Sequence, residues 1–249
     1  PRRSNVPSKE TVMTEQETDT PVIYTDQVVR RFGEGAALVT AVGGVSLTVE
    51  SGEFAALVGP SGSGKSTLLN LIGGLDEPDE GHIALAGMNL TSMSSAEMSD
   101  FRRDHIGFIF QSYNLIPVLS AAENIEYIML LQGLAARDRR KRVDEMLKMV
   151  GLDGLGHRRP AELSGGQQQR VAVARAMASS PDIILADEPT ANLDSKTGVA
   201  LLETMRELNE NEGVTFLFST HDQKIIERAR RLVWLEDGMV TKDEAPERL

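Results

Sequence analysis

Short apolar runs, each about the length of a β-strand, recur along most of the chain. Five of these runs alternate with segments of helical pattern, and they occupy residues 54–58, 106–110, 183–186, 214–218 and 232–235. Alternation of strands and helices along a chain is typical of a largely parallel sheet that is covered by helices. The pattern therefore predicts an α/β fold.

An earlier part of the chain has a different strand pattern. Residues 22–29 and 38–49 are rich in alternating and β-branched side chains, and glycines, among them Gly33 and Gly43, interrupt the two runs. Consecutive runs of this kind, with no helical pattern between them, predict antiparallel strands. We therefore expect an N-terminal antiparallel β layer ahead of the parallel sheet.

Between residues 112 and 160 the pattern becomes helical. Ser120 and Glu123 have the spacing of a capping box, which closes the first turn of a helix. Further on, apolar residues at 143, 146, 147 and 150 share one helical face, and Gly151 follows as a stop signal. The sequence thus predicts an inserted α-helical subdomain at about residues 112–165.

The N-terminal end of the chain does not share these patterns. Residues 1–21 are mostly polar, with few apolar side chains to anchor them, so we predict a disordered tail. Residues 22–249 contain one copy of each motif described below and no internal repeat. We therefore expect a single nucleotide-binding domain over residues 22–249.

Composition and charge narrow the function classes. The 37 acidic and 26 basic residues give a formal charge of −11, which repels phosphate backbones and argues against nucleic acid as a partner. The absence of cysteine excludes disulfides and thiolate metal sites. The apolar runs are far shorter than the roughly 20 residues that span a bilayer, and no secretion signal precedes them. We expect a cytosolic chain.

A glycine-rich loop follows the first buried strand and precedes an apolar helix. It is a complete G-x-x-x-x-G-K-[ST] motif, formed by Gly59, Pro60, Ser61, Gly62, Ser63, Gly64, Lys65, Ser66 and Thr67. Its backbone N–H groups and the helix dipole suit phosphate oxygens, Lys65 can reach the β- and γ-phosphates, and the Ser66 hydroxyl can ligate Mg²⁺. The motif predicts a bound ATP with Mg²⁺; the alternative is a Gly/Ser turn that only links strand to helix.

Two adjacent carboxylates end a later apolar strand. Asp187 and Glu188 follow residues 183–186, where buried charges are costly unless a cation lies nearby. We expect Asp187 to hold Mg²⁺ and Glu188, which points the other way, to act as the general base for an attacking water. A solvated acidic turn is the alternative explanation of this pair.

A second candidate phosphate site begins another helix. The stretch consists of Leu163, Ser164, Gly165, Gly166 and Gln167, ahead of a helix of small residues. A hydroxyl, bare N–H groups and the helix dipole at this point suit an anion, although a capped helix without a ligand has the same local sequence. The stretch resembles the LSGGQ signature of the ATP-binding-cassette family.

That resemblance implies further roles. The fold would be a P-loop cassette with a RecA-like mixed sheet, and the signature of one copy would complete the ATP site of a second copy in a head-to-tail homodimer. Gln111 looks like the Q-loop residue that senses Mg²⁺, and His221 looks like the switch histidine at the γ-phosphate. Asp194 matches the D-loop of the dimer interface. Phe32 lies where the family stacks an aromatic ring on adenine, although an ordinary strand-end core residue is the alternative.

Residues 69–76, 106–117 and 121–125 look like the lipoprotein-releasing LolD and macrolide-efflux MacB subgroup, with the FtsE cassettes nearby. This implies a peripheral ATPase on the cytoplasmic face of the inner membrane. It would power mechanotransmission, or export or extraction of a lipid-linked or amphipathic substrate such as a lipoprotein, through a separate permease with an extracytoplasmic domain. The alternatives are an FtsE-like signalling ATPase and, less favoured, a soluble DNA-repair ATPase. Residues 113–119 are the candidate permease dock, or else subdomain core.

Overall fold

The computed structural model describes residues 21–246; the predicted tail lies outside this range except for Pro21. The strands are β1 (Ile23–Phe32), β2 (Val39–Val49), β3 (Phe54–Val58), β4 (Glu80–Leu85), β5 (Met88–Asn89), β6 (Ile106–Ile109), β7 (Ile183–Asp187), β8 (Thr215–Thr220), β9 (Arg231–Glu236) and β10 (Met239–Glu244). The helices are α1 (Lys65–Ile72), α2 (Ser95–His105), α3 (Ala121–Leu131), α4 (Ala136–Met149), α5 (Gly165–Ala178), α6 (Ser195–Glu212) and α7 (Gln223–Ile226). No helix in this described part is long and apolar enough to cross a membrane.

The strands form two sheets. An antiparallel sheet has the order β2-β1-β4-β5, which confirms the predicted N-terminal antiparallel layer. The second sheet has the order β10-β9-β3-β8-β7-β6; β10 runs antiparallel to β9, and the other neighbours are parallel. The predicted α/β fold with a mixed sheet is therefore confirmed.

The mixed sheet is buried on both faces. Along β3, Phe54, Ala56 and Val58 join one hydrophobic cluster with α3 to α6, whereas Ala55 and Leu57 join a second cluster with α1 and the antiparallel sheet. Successive strand residues point to opposite faces, so a strand covered on both sides must be apolar throughout. This is why its sequence pattern is a continuous apolar run.

The predicted helical insertion contains α3 and α4, which pack on α5. The Ser120 hydroxyl accepts the Glu123 N–H at 3.2 Å, and the Glu123 carboxylate accepts the Ser120 N–H at 2.7 Å, as the capping box requires. The apolar face of α4, including Val143 and Met146, is buried against α3 and α5. The subdomain thus lies between β6 and β7 in the chain.

Four elements were not predicted from the sequence. Helix α2 buries only Phe101 among its eleven residues, so its apolar periodicity is weak, although Ser94 and Glu97 form a capping box at its start. Strand β5 is two exposed residues, and edge strand β10 buries no residue, so neither shows a core-facing pattern. Strand β4 begins with polar and glycine residues and buries side chains only at Ile83 and Leu85.

Candidate active site

The carboxyl ends of the parallel strands bring the predicted motifs to one edge of the mixed sheet. Val58 pairs with Thr220, and Asp187 pairs with Ser219, so the loops that follow β3, β7 and β8 emerge side by side. Ile109 of β6 pairs with Ala186, which places the following loop at the same edge. Ligands of open α/β sheets bind at such carboxyl ends.

The glycine-rich loop is held close to its neighbours. A Cβ atom on Gly59 would lie 2.1 Å from the Leu235 carbonyl oxygen, and one on Gly64 would lie 2.2 Å from that of Ala41. Gly64 also has a φ of +98°, a left-handed conformation that glycine adopts without strain. Only glycine fits at these two positions, and α1 begins directly behind them with the N–H groups of its first turn available for an anion.

Donor groups converge inside this loop. The Lys65 ammonium is buried and donates to the carbonyl oxygens of Gly59 and Pro60, both at 2.8 Å. Burial lowers the pKa of Lys65, opposed by the nearby charges of Glu188 and Asp187. The Ser63 hydroxyl is buried in the same loop and has no hydrogen-bond partner among residues 21–246. A triphosphate fits these donors because its oxygens accept hydrogen bonds from both groups.

Oxygen ligands for a divalent cation lie next to the loop. The Ser66 hydroxyl donates to Asp187 Oδ1 at 2.9 Å, although the two residues are 121 positions apart. Gln111 is exposed two positions beyond the end of β6, at the same sheet edge. A hydroxyl, a carboxylate and an amide oxygen are hard ligands of the kind that Mg²⁺ prefers. The donor set therefore fits Mg²⁺.

Glu188 and His221 form a contact pair across β7 and β8. Glu188 has a φ of +45°, so the chain turns directly after Asp187 and the two carboxylates reach different partners. His221 Nδ1 donates to Glu188 Oε1 at 2.6 Å, and the Thr220 hydroxyl lies 3.4 Å from Oε2. The side chain of Glu188 is 14% exposed and that of His221 is 69% exposed. The pair thus joins a sheltered carboxylate to an imidazole at the surface.

The signature stretch caps α5 instead of contacting the glycine-rich loop. The Ser164 hydroxyl accepts the Gln167 N–H at 3.3 Å, and the Ser164 N–H donates to Gln167 Oε1 at 2.9 Å. A Cβ on Gly166 would lie 2.3 Å from the Thr197 methyl group, so glycine lets α6 approach closely. Within residues 21–246, no hydrogen bond joins this stretch to the glycine-rich loop. One chain therefore carries two separate helix ends suited to anions.

Asp194 has partners within its own chain. Its carboxylate caps α6 by accepting the N–H groups of Lys196 and Thr197 at 3.0 Å and the Thr197 hydroxyl at 2.5 Å. These hydrogen bonds, chiefly those from Thr197, lower the pKa of Asp194. The residue that the family resemblance assigns to the dimer interface is thus also the helix cap.

Phe32 is exposed at the end of β1. It is 44% exposed, and the Arg30 guanidinium carbon lies 4.9 Å from the centroid of its ring. The alternative interpretation, an ordinary core residue, is therefore wrong. Phe32 pairs with Val39 on β2, two residues before Ala41, whose carbonyl borders the glycine-rich loop. The ring lies at the end of β1 that is nearest to this loop.

Three contacts of the site have no signal in the local sequence. The Asn192 side chain donates to the Gln111 carbonyl at 2.9 Å, and the Thr190 hydroxyl donates to Asp222 at 2.7 Å, beside His221. The third contact is made by the Arg175 guanidinium, which donates to the carbonyl oxygens of Asn114 at 2.5 Å and Tyr113 at 3.0 Å. Each joins residues from distant parts of the chain, so no spacing rule identifies them.

Comparisons with known proteins agree with this geometry. A family model described as ABC transporter matches residues 42–191. The macrolide export ATP-binding/permease protein MacB of Hyphomonas neptunium is 47% identical over 223 residues, which are 90% of this chain and 34% of MacB, so the chain spans about a third of that relative. The uncharacterized ABC transporter ATP-binding protein MJ0796 of Methanocaldococcus jannaschii is 43% identical, over 90% of this chain and 97% of MJ0796. A dimeric structure of MJ0796 in a post-hydrolysis state, bound to ADP and Pi, has a TM-score of 0.84 at 42% identity and covers 91% of this chain and 100% of that one.

Proposed function

This chain belongs to the ABC transporter family of ATP-binding proteins, and we propose that it is the ATPase subunit that drives a separate membrane permease of the MacB or LolCE type. The observation that carries the proposal is the convergence of Lys65, Ser66, Asp187, Glu188 and His221 at one sheet edge. Each has a role in hydrolysis of a γ-phosphate. The chain is thus an ATP-hydrolysing cassette, and the residue roles and permease are our assignment.

In the proposed site, Lys65 and the N–H groups at the start of α1 hold the β- and γ-phosphates. Ser66, Asp187 and Gln111 would hold Mg²⁺, which would supply neutralisation of the phosphate charge. Phe32 stacks on adenine, since its exposed ring offers a π-face beside the glycine-rich loop. The loop at residues 59–67 thereby fixes the nucleotide for in-line attack.

Glu188 takes the proton from the attacking water while the water oxygen bonds to the γ-phosphorus and the bond to ADP breaks. His221 contacts one carboxylate oxygen through Nδ1, and only as an imidazolium, with an N–H on both ring nitrogens, would it also donate from Nε2 to the γ-phosphate. The low exposure of Glu188 keeps bulk water from competing for the carboxylate. The products are ADP and inorganic phosphate.

A second copy of the chain completes each site. Residues Ser164, Gly165 and Gly166 form a helix start that does not bond to the glycine-rich loop of its own chain, so they serve the ATP of the partner copy. The solved MJ0796 cassette with ADP and Pi is described as dimeric. We propose a head-to-tail homodimer in which Asp194 lies at the interface.

The proposed partner is an integral-membrane permease that the chain meets at the cytoplasmic face of the inner membrane. MacB, whose name combines ATP-binding and permease functions, is about three times the length of the matched segment. The segment of residues 113–119 divides into two parts: Leu115 packs on the core, whereas Asn114 and Ile116 line an open groove. The groove is our candidate dock, and a lipid-linked or amphipathic molecule such as a lipoprotein is our candidate substrate.

The test is purification of the tagged full chain from its native membranes in mild detergent, followed by reconstitution of the captured complex in liposomes. We expect an integral-membrane protein to be captured, and ATP hydrolysis by the complex to rise when a lipid-linked or amphipathic substrate is added. The Lys65→Ala variant, which loses its phosphate contact, should be captured equally well but should not hydrolyse ATP. Capture of no membrane protein would refute the permease assignment.

A further inference from the structure

A fully buried amide lies beside the residue that follows the candidate general base. Gln169 belongs to α5 and is 0% exposed. Its Nε2 donates to the carbonyl oxygen of Pro189, the residue directly after Glu188, at 2.9 Å. Its Oε1 is also buried and has no hydrogen-bond partner among residues 21–246. A buried polar atom without a partner is costly, so an apolar side chain would suit this position better if packing were its only role.

The backbone beside the Gln169 amide is strained. Glu188 has a φ of +45°, which is costly for a residue other than glycine. Because Pro189 follows, the proline ring restricts the Glu188 backbone further. Strain of this kind persists only where the surrounding structure holds it, and it concentrates at functional sites. The contacts that hold residues 188–191 therefore decide where the Glu188 carboxylate points.

Three elements hold this turn from different sides. From β8, the Ser219 carbonyl accepts the Glu188 N–H at 2.9 Å. Directly ahead of α7, the Asp222 carboxylate accepts the Thr190 hydroxyl at 2.7 Å. From α5, the Gln169 amide supplies the third contact. In the part of the chain that the structure describes, this amide makes the one side-chain hydrogen bond between α5 and residues 188–191.

Helix α5 connects this contact to the signature stretch. Ser164 caps the start of the helix, and Gln169 lies on the same helix beyond its first turn. Residues 171–174 and 176–178 are all buried, so close packing fixes the helix along most of its length. A displacement of the capped end is therefore carried to Gln169. The helix end that we assign to the ATP of the partner copy thus shares one packed helix with the amide that holds Pro189.

We propose that Gln169 is a positioning residue for the general base: its amide fixes the turn at Glu188 and so links α5 to ATP hydrolysis in the same chain. The proposal rests on the role assigned to Glu188 above and adds the group that holds it in place. Without the amide, the strained turn shifts and the carboxylate moves relative to the attacking water, whereas Ser164 keeps its place at the nucleotide of the partner copy. Hydrolysis is then lost while the ATP-bound dimer persists.

Gln169→Met in the full chain tests the proposal, because methionine is close to glutamine in size but donates no hydrogen bond. Misplacement of a reacting group by about 1 Å can cost about 100-fold in rate, so we expect kcat for phosphate release to fall by about 10- to 100-fold. The KM for ATP should stay unchanged, and size-exclusion chromatography with ATP should still show a dimer. An unchanged kcat would overturn the proposal. Loss of ATP affinity or of the dimer would also overturn it, because Gln169 would then support nucleotide binding instead.

A double-mutant cycle distinguishes positioning of Glu188 from a general defect of the fold. If Gln169 acts through Glu188, then Gln169→Met should lower turnover by no more than about twofold in the Glu188→Gln background. Two losses that multiply would overturn the proposal. The single variants separate it from the role of the base. Normal turnover in Glu188→Gln would refute Glu188 as the base, whereas lost turnover in Glu188→Gln with normal turnover in Gln169→Met would refute only the role of Gln169.

Asn209→Leu is the matched control. Asn209 of α6 is also a buried amide: its Nδ2 donates to the carbonyls of Gly52 and Val214 at 2.8 and 2.7 Å, and its Oδ1 has no partner among the described residues. These carbonyls lie just before β3 and β8, at the sheet edge opposite the candidate site. The control should lower the unfolding temperature but leave kcat unchanged, and an equal loss of kcat would overturn a specific role for Gln169.

Thermal unfolding of each variant identifies loss of folding. If Gln169→Met does not fold, the same cycle is run with Gln169→Asn, which keeps a buried amide but is one methylene too short to reach the Pro189 carbonyl. We expect the same loss of kcat with the same KM from this variant. Wild-type turnover in a folded Gln169→Asn variant would overturn the proposal.

Discussion

Replacement of Glu188 by Gln separates ATP binding from ATP hydrolysis. The amide has the shape of the carboxylate and keeps an oxygen to accept the His221 Nδ1–H at the present 2.6 Å distance, so the sheet edge should stay intact. What it loses is the ability to take a proton. General-base assistance contributes about 10²–10⁴-fold in rate, which corresponds to about 3–5 kcal/mol of barrier. We therefore expect phosphate release to fall by that factor.

ATP binding should persist or strengthen in the same variant, because removal of the Glu188 charge reduces repulsion beside Asp187 and the γ-phosphate. The assay combines phosphate release under saturating ATP with size-exclusion chromatography, in which ATP should now hold a stable dimer. Glu203→Gln is the control, because Glu203 pairs with Arg228 on the surface of α6. This variant should hydrolyse ATP at the wild-type rate. Phosphate release by Glu188→Gln within about tenfold of the wild type would refute Glu188 as the base.

Three further predictions concern the surrounding structure. Gly64→Ala should abolish ATP binding and lower the unfolding temperature, because the new Cβ would lie 2.2 Å from a carbonyl oxygen of β2; isothermal calorimetry and thermal unfolding measure the two effects. Asn192→Ala removes the 2.9 Å hydrogen bond to the Gln111 carbonyl, so we expect it to lower ATP turnover but not ATP affinity. A lower kcat with an unchanged KM would show this. In the Asp194→Asn variant, the free energy of unfolding should change less with pH in the acid range than it does in the wild type. Because the fold lowers the pKa of Asp194, the ionised carboxylate stabilises the folded state at pH values above the ordinary pKa of 3.8, and this stabilisation is lost as the pH falls through the lowered pKa. Asn also caps a helix but does not titrate, so the variant lacks this pH dependence.

Gly87 has a φ of +74°, and apart from its chain neighbours no heavy atom of the described residues lies within 4 Å of where its Cβ would be. Gly87→Ala therefore tests left-handed strain without a clash, and equal damage in both glycine variants would exclude the clash as the cause. Unchanged turnover in Asn192→Ala would exclude Asn192 as a positioning residue. Denaturant unfolding between about pH 6 and about pH 3 tests Asp194, and parallel curves for variant and wild type would contradict its role.

The sequence predicted most of the elements that position the site. Strand β3 has the predicted bounds, and β6, β7 and β9 differ from the predicted runs by no more than one residue at either end. The sequence did not predict elements that bury few side chains, such as α2 and β10. Apolar periodicity reports burial, so an element at an edge or on the surface leaves a weak pattern even when its backbone is regular.

The sequence by itself determined the features that form within a few residues. The capping boxes at Ser120 and Ser164 need partners only three positions away, and the tight loop before Lys65 needs glycines at fixed positions. Such features follow from backbone geometry and local hydrogen bonds, which any surrounding fold retains.

Only the tertiary structure decided which distant groups meet. Ser66 contacts Asp187 from 121 positions away, Asn192 reaches the Gln111 carbonyl from 81, and Arg175 reaches the Asn114 carbonyl from 61. These contacts depend on strand order and on the packing of α5 and α6 against the sheet, and no local spacing encodes them. The open groove beside Asn114 and Ile116 is likewise lined by arginines of α2 and α5, which only the fold brings onto one surface.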